Sequence, residues 1–545
     1  MADMQIKLLF RLVLAIVPLS VAGQSSYLRT GSEEYRLLDR LEIKTRFPLL
    51  NQSFNRPFTR NRAFASIDSI LKDSTSSKSL SKIDKALIAD FLDDPEANNQ
   101  TSSLYASFGI DILRTKRKHG FLVINPIVRA NVWKEKNAAR TPYTGTIGLD
   151  IRGAHKKIGY NLYATVNEER LPNYMSNWFS RYKTVPGGGN FKNRSDGKVL
   201  YADIRGSVQT SVTKYIDLQL GYDRQFLGNG YRSLFLSDFS NSTAFFKVNT
   251  RIWKLNFQSL YMQLKPQDGI VTKASDKKYL RINTLGIDAT KWLNISFFDA
   301  VVLGRRTGFD LNYVLPITFL RAMEQQSGSP DNALFGMNVK ANLAGKVQLY
   351  GQILLDEFKL SEIKARSGWW ANKFGYQLGA KYIDVLGIKN LDLQVETNRV
   401  RPFTYTHFDS VSNYTHYNQP LAHPLGANFH EFIGIIRFQP IKRMNIELKA
   451  VYYKQGLDSL GFSTGNNILT NYLNKPRNYG WEVGSGDKAT CLYTSFVVTT
   501  RIMRNMLFDV AFINRNFKTK LTGEQNTMLA CVGLRWNISR REFDF

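Results

Sequence analysis

The sequence predicts a mainly-β fold, a transmembrane antiparallel outer-membrane barrel of about 18 strands, preceded by a small N-terminal α-helical periplasmic bundle. Three observations predict it. From about Ser103 onward the chain is a succession of alternating apolar and polar segments with turns between them. After the N-terminal leader no run of about 18 consecutive apolar residues occurs, which excludes a helical membrane protein. The last strand, Met528 to Ile538, places Met528, Ala530, Val532, Leu534, Trp536 and Ile538 on one face and Leu529, Cys531, Gly533, Arg535 and Asn537 on the other. Such period-two alternation makes a strand with one apolar and one mostly polar face.

The spacing of Gly533, Trp536 and Ile538 resembles the closing strand of bacterial outer-membrane barrels. Lipid cannot satisfy an open sheet edge, so this strand is expected to pair with the first one.

The N-terminus carries Lys7 and Arg11, an apolar run from Leu12 to Val21, and Val21-Ala22-Gly23 before Gln24. That order predicts a cleavable signal peptide over residues 1–23, and the apolar run is too short to span a bilayer. No cysteine lies near the expected cleavage point, which argues against a lipid anchor there.

Residues 24–102 read as the helical bundle. Tyr35, Leu37, Leu38 and Leu41 recur at helical spacing after Thr30 and Glu33, a candidate capping box. Phe64, Ile67, Ile70 and Leu71 repeat the pattern, as do Leu80, Ile83, Leu87, Phe91 and Leu92 before Asp94-Pro95. Three short amphipathic helices need a surface to pack on, and the periplasmic mouth of the barrel is the nearest.

Residues 103–545 read as the barrel. Tyr160 to Asn167, Ile216 to Asp223 and Phe374 to Tyr382 alternate strictly, and Lys254 to Leu264, Val347 to Leu355, Asn445 to Tyr452 and Met506 to Asn514 continue the texture. A mean hydropathy of -0.28 agrees with strands that turn one face to a polar lumen. Aromatic residues make up 13% of the chain and many fall at strand ends, where barrels carry aromatic girdles. Connections 170–193, 401–429 and 456–488 are too long for periplasmic turns, so outward loops or lumen plugs are expected. The third, polar and rich in Asn and Gly, reads as mobile.

The formal charge is +28, and the first 23 residues hold one net positive charge, which leaves +27. An exported chain so basic favours lipopolysaccharide phosphates or acidic polysaccharide over nucleic acid, either as ligands or as headgroups around the barrel rim. Cys491 and Cys531 fall in strands expected to be separated by another, about twice the interstrand spacing apart, so two free thiols are expected.

His407, His416, His423 and His430 fall within one short stretch. A metal would require three or four converging ligands, and no tight histidine spacing announces one, so neither metal nor cofactor is expected. A folded lumen loop or a glycan-binding loop uses the same imidazoles and amides. Gly228-Asn-Gly-Tyr-Arg-Ser-Leu-Phe-Leu-Ser-Asp238 interrupts the strands and reads as a kink into the lumen. It lacks the Lys-Ser/Thr pair and helix of a phosphate loop, and no Gly-x-Ser-x-Gly nucleophile occurs, so enzymatic activity is not expected.

Tyr35 to Ile43, Phe226 to Ser237, Leu315 to Arg321, Gly328 to Asn332, Leu349 to Phe358 and Gly368 to Gly375 together resemble the Wzi-type capsule-assembly family. The resemblance is to its divergent Bacteroidota form, whose chains are often labelled gliding-motility RemB-like. Phe226-Leu-Gly-Asn-Gly230 stands where the family has Trp-Gly-Pro-Gly, with the aromatic displaced and the proline missing. The resemblance implies an 18-stranded barrel with a periplasmic bundle that holds capsular polysaccharide as a lectin.

The expected function is therefore a non-enzymatic barrel that binds or retains surface polysaccharide. Arg232, Trp370, Arg399, Arg401, His416, Asn418 and His423 are the candidate ligand or lumen contacts. The alternatives are a structural subunit of a larger outer-membrane machine for secretion, motility or barrel insertion, with other outer-membrane proteins as partners, and a passive diffusion pore.

Overall fold

The computed structural model describes residues 25–46, 54–94, 96–97, 113–117, 120–193, 197–267, 277–306, 331–459 and 461–545. The expected signal peptide and the boundary at 102/103 lie outside these residues.

Eighteen antiparallel staves close into a barrel. They are β1 Gly120–Glu135, β2 Tyr143–His155, β3 Ile158–Arg170, β4 Val199–Ser211, β5 Ile216–Asp223 and β6 Thr243–Ile252. Then come β7 Leu255–Leu264, β8 Lys277–Asp288, β9 Leu293–Arg306, β10 Asn332–Leu343, β11 Val347–Glu357 and β12 Lys373–Tyr382. The set ends with β13 Leu391–Val400, β14 Phe429–Ile441, β15 Met444–Leu457, β16 Asp487–Met503, β17 Met506–Thr519 and β18 Gly523–Trp536. β18 pairs with β1 from Leu529↔Glu135 to Trp536↔Val128, as the closing-strand pattern predicts. Gly533 is needed at this seam, because a Cβ there would meet Asn131 Oδ1 at 2.0 Å. The short strand Leu113–Arg117 covers the part of β1 that β18 does not reach.

Alternation sorts most staves into an inner and an outer face, whereas β8 is buried on both faces from Lys278 to Thr284. Outward Ile147, Leu220, Leu378, Phe512 and Val532 are among the most exposed apolar side chains and form a belt that water would not tolerate. Inward-facing side chains are instead largely Asn, Gln, Arg, Lys and Glu. A polar inside and an apolar outside is the reverse of a soluble barrel and belongs in the outer membrane. β17 lies between Cys491 and Cys531, and both thiols are free and buried.

Most short turns lie at one end of the barrel, with two exceptions: the β17–β18 turn, residues 520–522, lies at the opposite end, and the longer β12–β13 connection, residues 383–390, lies at the short-turn end. β2–β3, β6–β7, β10–β11, β14–β15 and β16–β17 join through two or three residues, while long connections gather at the opposite end. Short turns mark the periplasmic end of such barrels.

Four helices sit at that short-turn end: α1 Glu34–Thr45, α2 Arg60–Lys72, α3 Ser74–Ser79 and α4 Lys82–Leu92. They have their own core of Leu38, Leu41, Phe64, Ile67, Ile70 and Ile88, separate from the lumen cluster. The expected Thr30/Glu33 capping box does not form, since Glu33 is itself the N-cap and makes no side-chain cap. The box occurs at α4 instead, where Ser81 and Asp84 cap each other's backbone amides. Leu71, expected in the core, is exposed and takes no part in it.

The bundle docks by charge. Asp39 pairs with Lys381 at 2.8 Å and Arg56 at 2.9 Å, Asp90 with Arg501 at 2.6 Å, and Asp94 with Arg152 at 2.6 Å. Arg40 links Asp84 to Asp384 and Asp392. Acidic side chains of the helical segment thus meet basic residues around the short-turn rim, and Arg40 makes the reverse pairing with the rim carboxylates Asp384 and Asp392.

Candidate functional site

The lumen is filled by three inward segments. The first follows β5. Phe226–Leu227 pairs with Asn55–Arg56, and the chain then crosses the lumen as the glycine kink predicts. Its amides are satisfied by the inner wall: Leu234 N donates to Gln352 at 2.8 Å, and Tyr231 N and Arg232 N donate to Glu396 at 2.7 and 3.1 Å. Phe235 stacks on Phe298 with centroids 4.4 Å apart. Gly336 makes room for it, since a Cβ there would lie 2.4 Å from the Phe235 ring.

The second segment is the connection 401–428. Tyr405 and Tyr414 donate their hydroxyls to Leu234 O and Phe235 O, each at 2.8 Å, locking this loop onto the first. Residues 537–545, the third segment, enter from the short-turn end. There Asp544 meets Arg232 at 2.9 Å and Lys449 at 2.8 Å. Burial alone would raise the Asp544 carboxyl, but Arg232 and Lys449 overcome it and hold it far below the usual range. Around these segments remain chambers of about 470, 290 and 270 Å³, lined largely by arginines and carboxylates.

Four of the residues expected to touch ligand or lumen are framework. Arg232 spends its guanidinium on Asp544. His416 accepts from Lys265 N at Nδ1 and faces Ser242 O with Nε2, at 2.9 and 3.0 Å. Burial pushes its pKa down to about 3, so the imidazole is neutral. Asn418 donates to Tyr182 O at 3.1 Å. His423 lies 2.8 Å from Glu431, both side chains fully buried. They are buried and bonded to partners within the lumen.

Arg399 differs from the expectation for a strand-geometric reason. Asn398 and Val400 face inward, so Arg399 points out of the barrel wall.

Arg401 and Trp370 do come together, at the long-loop end. Arg401 donates to Asn372 O at 2.8 Å and to Trp369 O and Trp481 O at 3.3 Å, tying 358–372 to 458–486. On this clamp Trp370 packs against Tyr472 at 4.6 Å and Phe403 at 6.0 Å. Lys475 caps its ring at 4.1 Å, and Lys359 lies 5.4 Å from the Trp369 ring. Tyr479 and Arg477 stand exposed beside them. Partial burial, and then Lys373, lower the Lys475 pKa. The result is a surface cluster of aromatic rings interleaved with cations.

Tyr472, Lys475, Arg477 and Tyr479 escaped the sequence reading because 456–488 read as polar and mobile. The structure folds it: Trp481, 2% exposed, donates its indole N–H to Arg477 O, and Asn428 donates to Thr464 O and Ser485 O. The available signal was the spacing of aromatic and cationic residues from Tyr472 to Trp481.

Chemically, aromatic faces can stack against the C–H faces of sugar rings, and flanking Lys and Arg can pair with carboxylates. Among the described residues no group of three or more His, Cys, Asp and Glu forms a metal cluster.

No protein-family profile matches the chain, and no curated protein matches it in sequence. Among solved structures it is similar to Wzi of Escherichia coli, described as an outer membrane protein involved in group 1 capsule assembly and a carbohydrate-binding β-barrel. That match covers 95% of this chain and 100% of the other at 14% identity, with a TM-score of 0.56. It also matches OprD of Pseudomonas aeruginosa over 76% of this chain and 94% of the other, at 12% identity and a TM-score of 0.42. Of the resembling stretches, 315–321 and 328–330 lie outside the described residues. The chain therefore has the fold of the Wzi barrel from end to end of that protein.

Proposed function

We propose that this chain is a non-enzymatic outer-membrane barrel that retains an acidic surface or capsular polysaccharide on its outward loops. The observation that carries the reading is the Trp370–Tyr472–Lys475 cluster, held by the Arg401 clamp at the long-loop end of a filled barrel. Stacking platforms supply affinity for sugar rings, and the surrounding cations select carboxylate-bearing ones. The carbohydrate-binding description of the fold-similar Wzi supports the same reading. The six resembling stretches favour the Bacteroidota form of that family, and residues 1–23 fit the export signal that an outer-membrane address requires.

A filled lumen supports a surface site over a diffusion path. In this account the three segments act as the rigid floor on which the loops stand, and the helical bundle closes the periplasmic mouth.

The test is purification from the native membrane in mild detergent, with attached polysaccharide and proteins identified by mass. Recovery with bound acidic polysaccharide supports the reading. A stoichiometric protein assembly free of sugar overturns it in favour of a scaffold.

A further inference from the structure

The outer wall carries a second basic feature, separate from the glycan platform. Tyr376, Arg399, His430, Lys454, Thr490 and Lys518 stand in direct register across β12 to β17. All face outward, because their neighbours Asn398, Glu431, Tyr453, Cys491 and Thr519 are buried inside. Arg399, Lys454 and Lys518 are exposed and make no ion pair among the described residues. With strands about 4.8 Å apart, Arg399 and Lys454 flank His430 at roughly 10 Å from each other.

The height of the row matters as much as its charge. One outward position closer to the periplasm on the same staves come Leu378, Phe432, Tyr452 and Leu492 of the apolar belt, together with the polar Thr397 and Asn516. Arg399 and Lys454 therefore stand where the belt gives way to the long-loop end. In the outer leaflet that level is occupied by headgroups. His430 is braced there by Thr397 Oγ1, 3.1 Å from Nε2, and its ring lies 4.4 Å from Phe432.

We propose that Arg399, His430 and Lys454 form a binding site for the phosphates of an outer-leaflet glycolipid whose acyl chains lie along Phe432, Tyr452 and Leu492. Charge complementarity selects the ligand: the guanidinium supplies a planar fork for phosphate oxygens, the ammonium a point charge, and the apolar row below accepts lipid chains. The site stands on the outer-membrane fold and does not depend on the glycan reading.

The test titrates the purified full chain in detergent with lipid A, with lipid A stripped of its phosphates, and with phosphatidylglycerol, and counts bound lipid by native mass spectrometry. Lipid A is expected to bind in preference to both others. Arg399→Gln with Lys454→Gln is expected to weaken it by about fivefold per charge removed. Arg399→Lys with Lys454→Arg is expected to retain most of the binding, and resistance to unfolding in unheated detergent gels confirms that each variant is folded. Equal binding of the dephosphorylated lipid, equal binding of phosphatidylglycerol, or no loss in the folded double Gln variant would each overturn the proposal.

Discussion

Arg232 holds Asp544 with its Nη2 2.9 Å from Oδ1, joining the segment after β5 to the last residues of the chain inside the lumen. Lys449 shares the same carboxylate, and Tyr231 donates its hydroxyl to it at 2.5 Å. Removing one partner of a buried pair leaves the others uncompensated, which typically costs about 3–5 kcal/mol. Asp544→Asn is expected to destabilise the barrel by about that amount, seen as a lower melting temperature in detergent. Because Asp544 is held far below the usual carboxylate range, the wild-type contact should survive mild acid.

The Gly336–Phe235 contact makes a steric prediction. Gly336→Val puts side-chain atoms where the Phe235 ring stacks on Phe298, and overpacking of this kind costs about 1–3 kcal/mol. Limited proteolysis should then cut within 225–242 faster than in the wild type, with the strands unaffected.

Acid should release the helical bundle ahead of the barrel. Burial would raise the carboxyls of Asp39 and Asp94, but Arg56 and Lys381 around the first, and Arg152 and Arg60 around the second, bring both down to about 2. A depressed carboxyl stabilises the folded state above its unfolded value near 4, and that contribution disappears as pH falls towards 2. Hydrogen exchange is expected to rise over residues 34–92 between pH 4 and pH 2 before it rises in the staves. Simultaneous exchange of bundle and barrel would contradict charge docking.

His416 gives a second, milder pH dependence. Its neutral ring joins the 401–428 loop to Lys265 N and Ser242 O, and burial lowers its pKa to about 3. Protonation favours the loosened loop, so the contribution is complete above pH 6.5 and declines as pH falls towards 3. Exchange of the 401–428 amides should follow that decline in the wild type and become insensitive to pH in His416→Gln.

The barrel was legible in the sequence because its signal is local. Most staves announce their two faces through side chains two residues apart, and the β18 pattern identified the seam with β1 before any partner was known. The kink at 228–238 was legible for the same reason, since Gly228 and Gly230, which free the backbone, stand two residues apart. Contacts distant in sequence were not. His423 and Glu431 lie eight residues apart, but Trp370 and Lys475 come from different loops, and no periodicity connects them. Arg399 shows the limit within a strand: its face follows from register with Asn398 and Val400, which a residue-type argument about ligand chemistry overlooked. The loop 456–488 misled through composition, because Asn and Gly that read as mobile instead build tight turns around buried Trp481.

The most direct test of the central claim is a binding titration of the purified chain with the acidic surface polysaccharide of the cells that make it, comparing wild type with Trp370→Ala and Lys475→Ala. The account predicts saturable binding that falls about thirtyfold in each variant while the melting temperature stays unchanged. Equal binding by folded variants and wild type would contradict it and move the glycan site away from the Trp370 cluster.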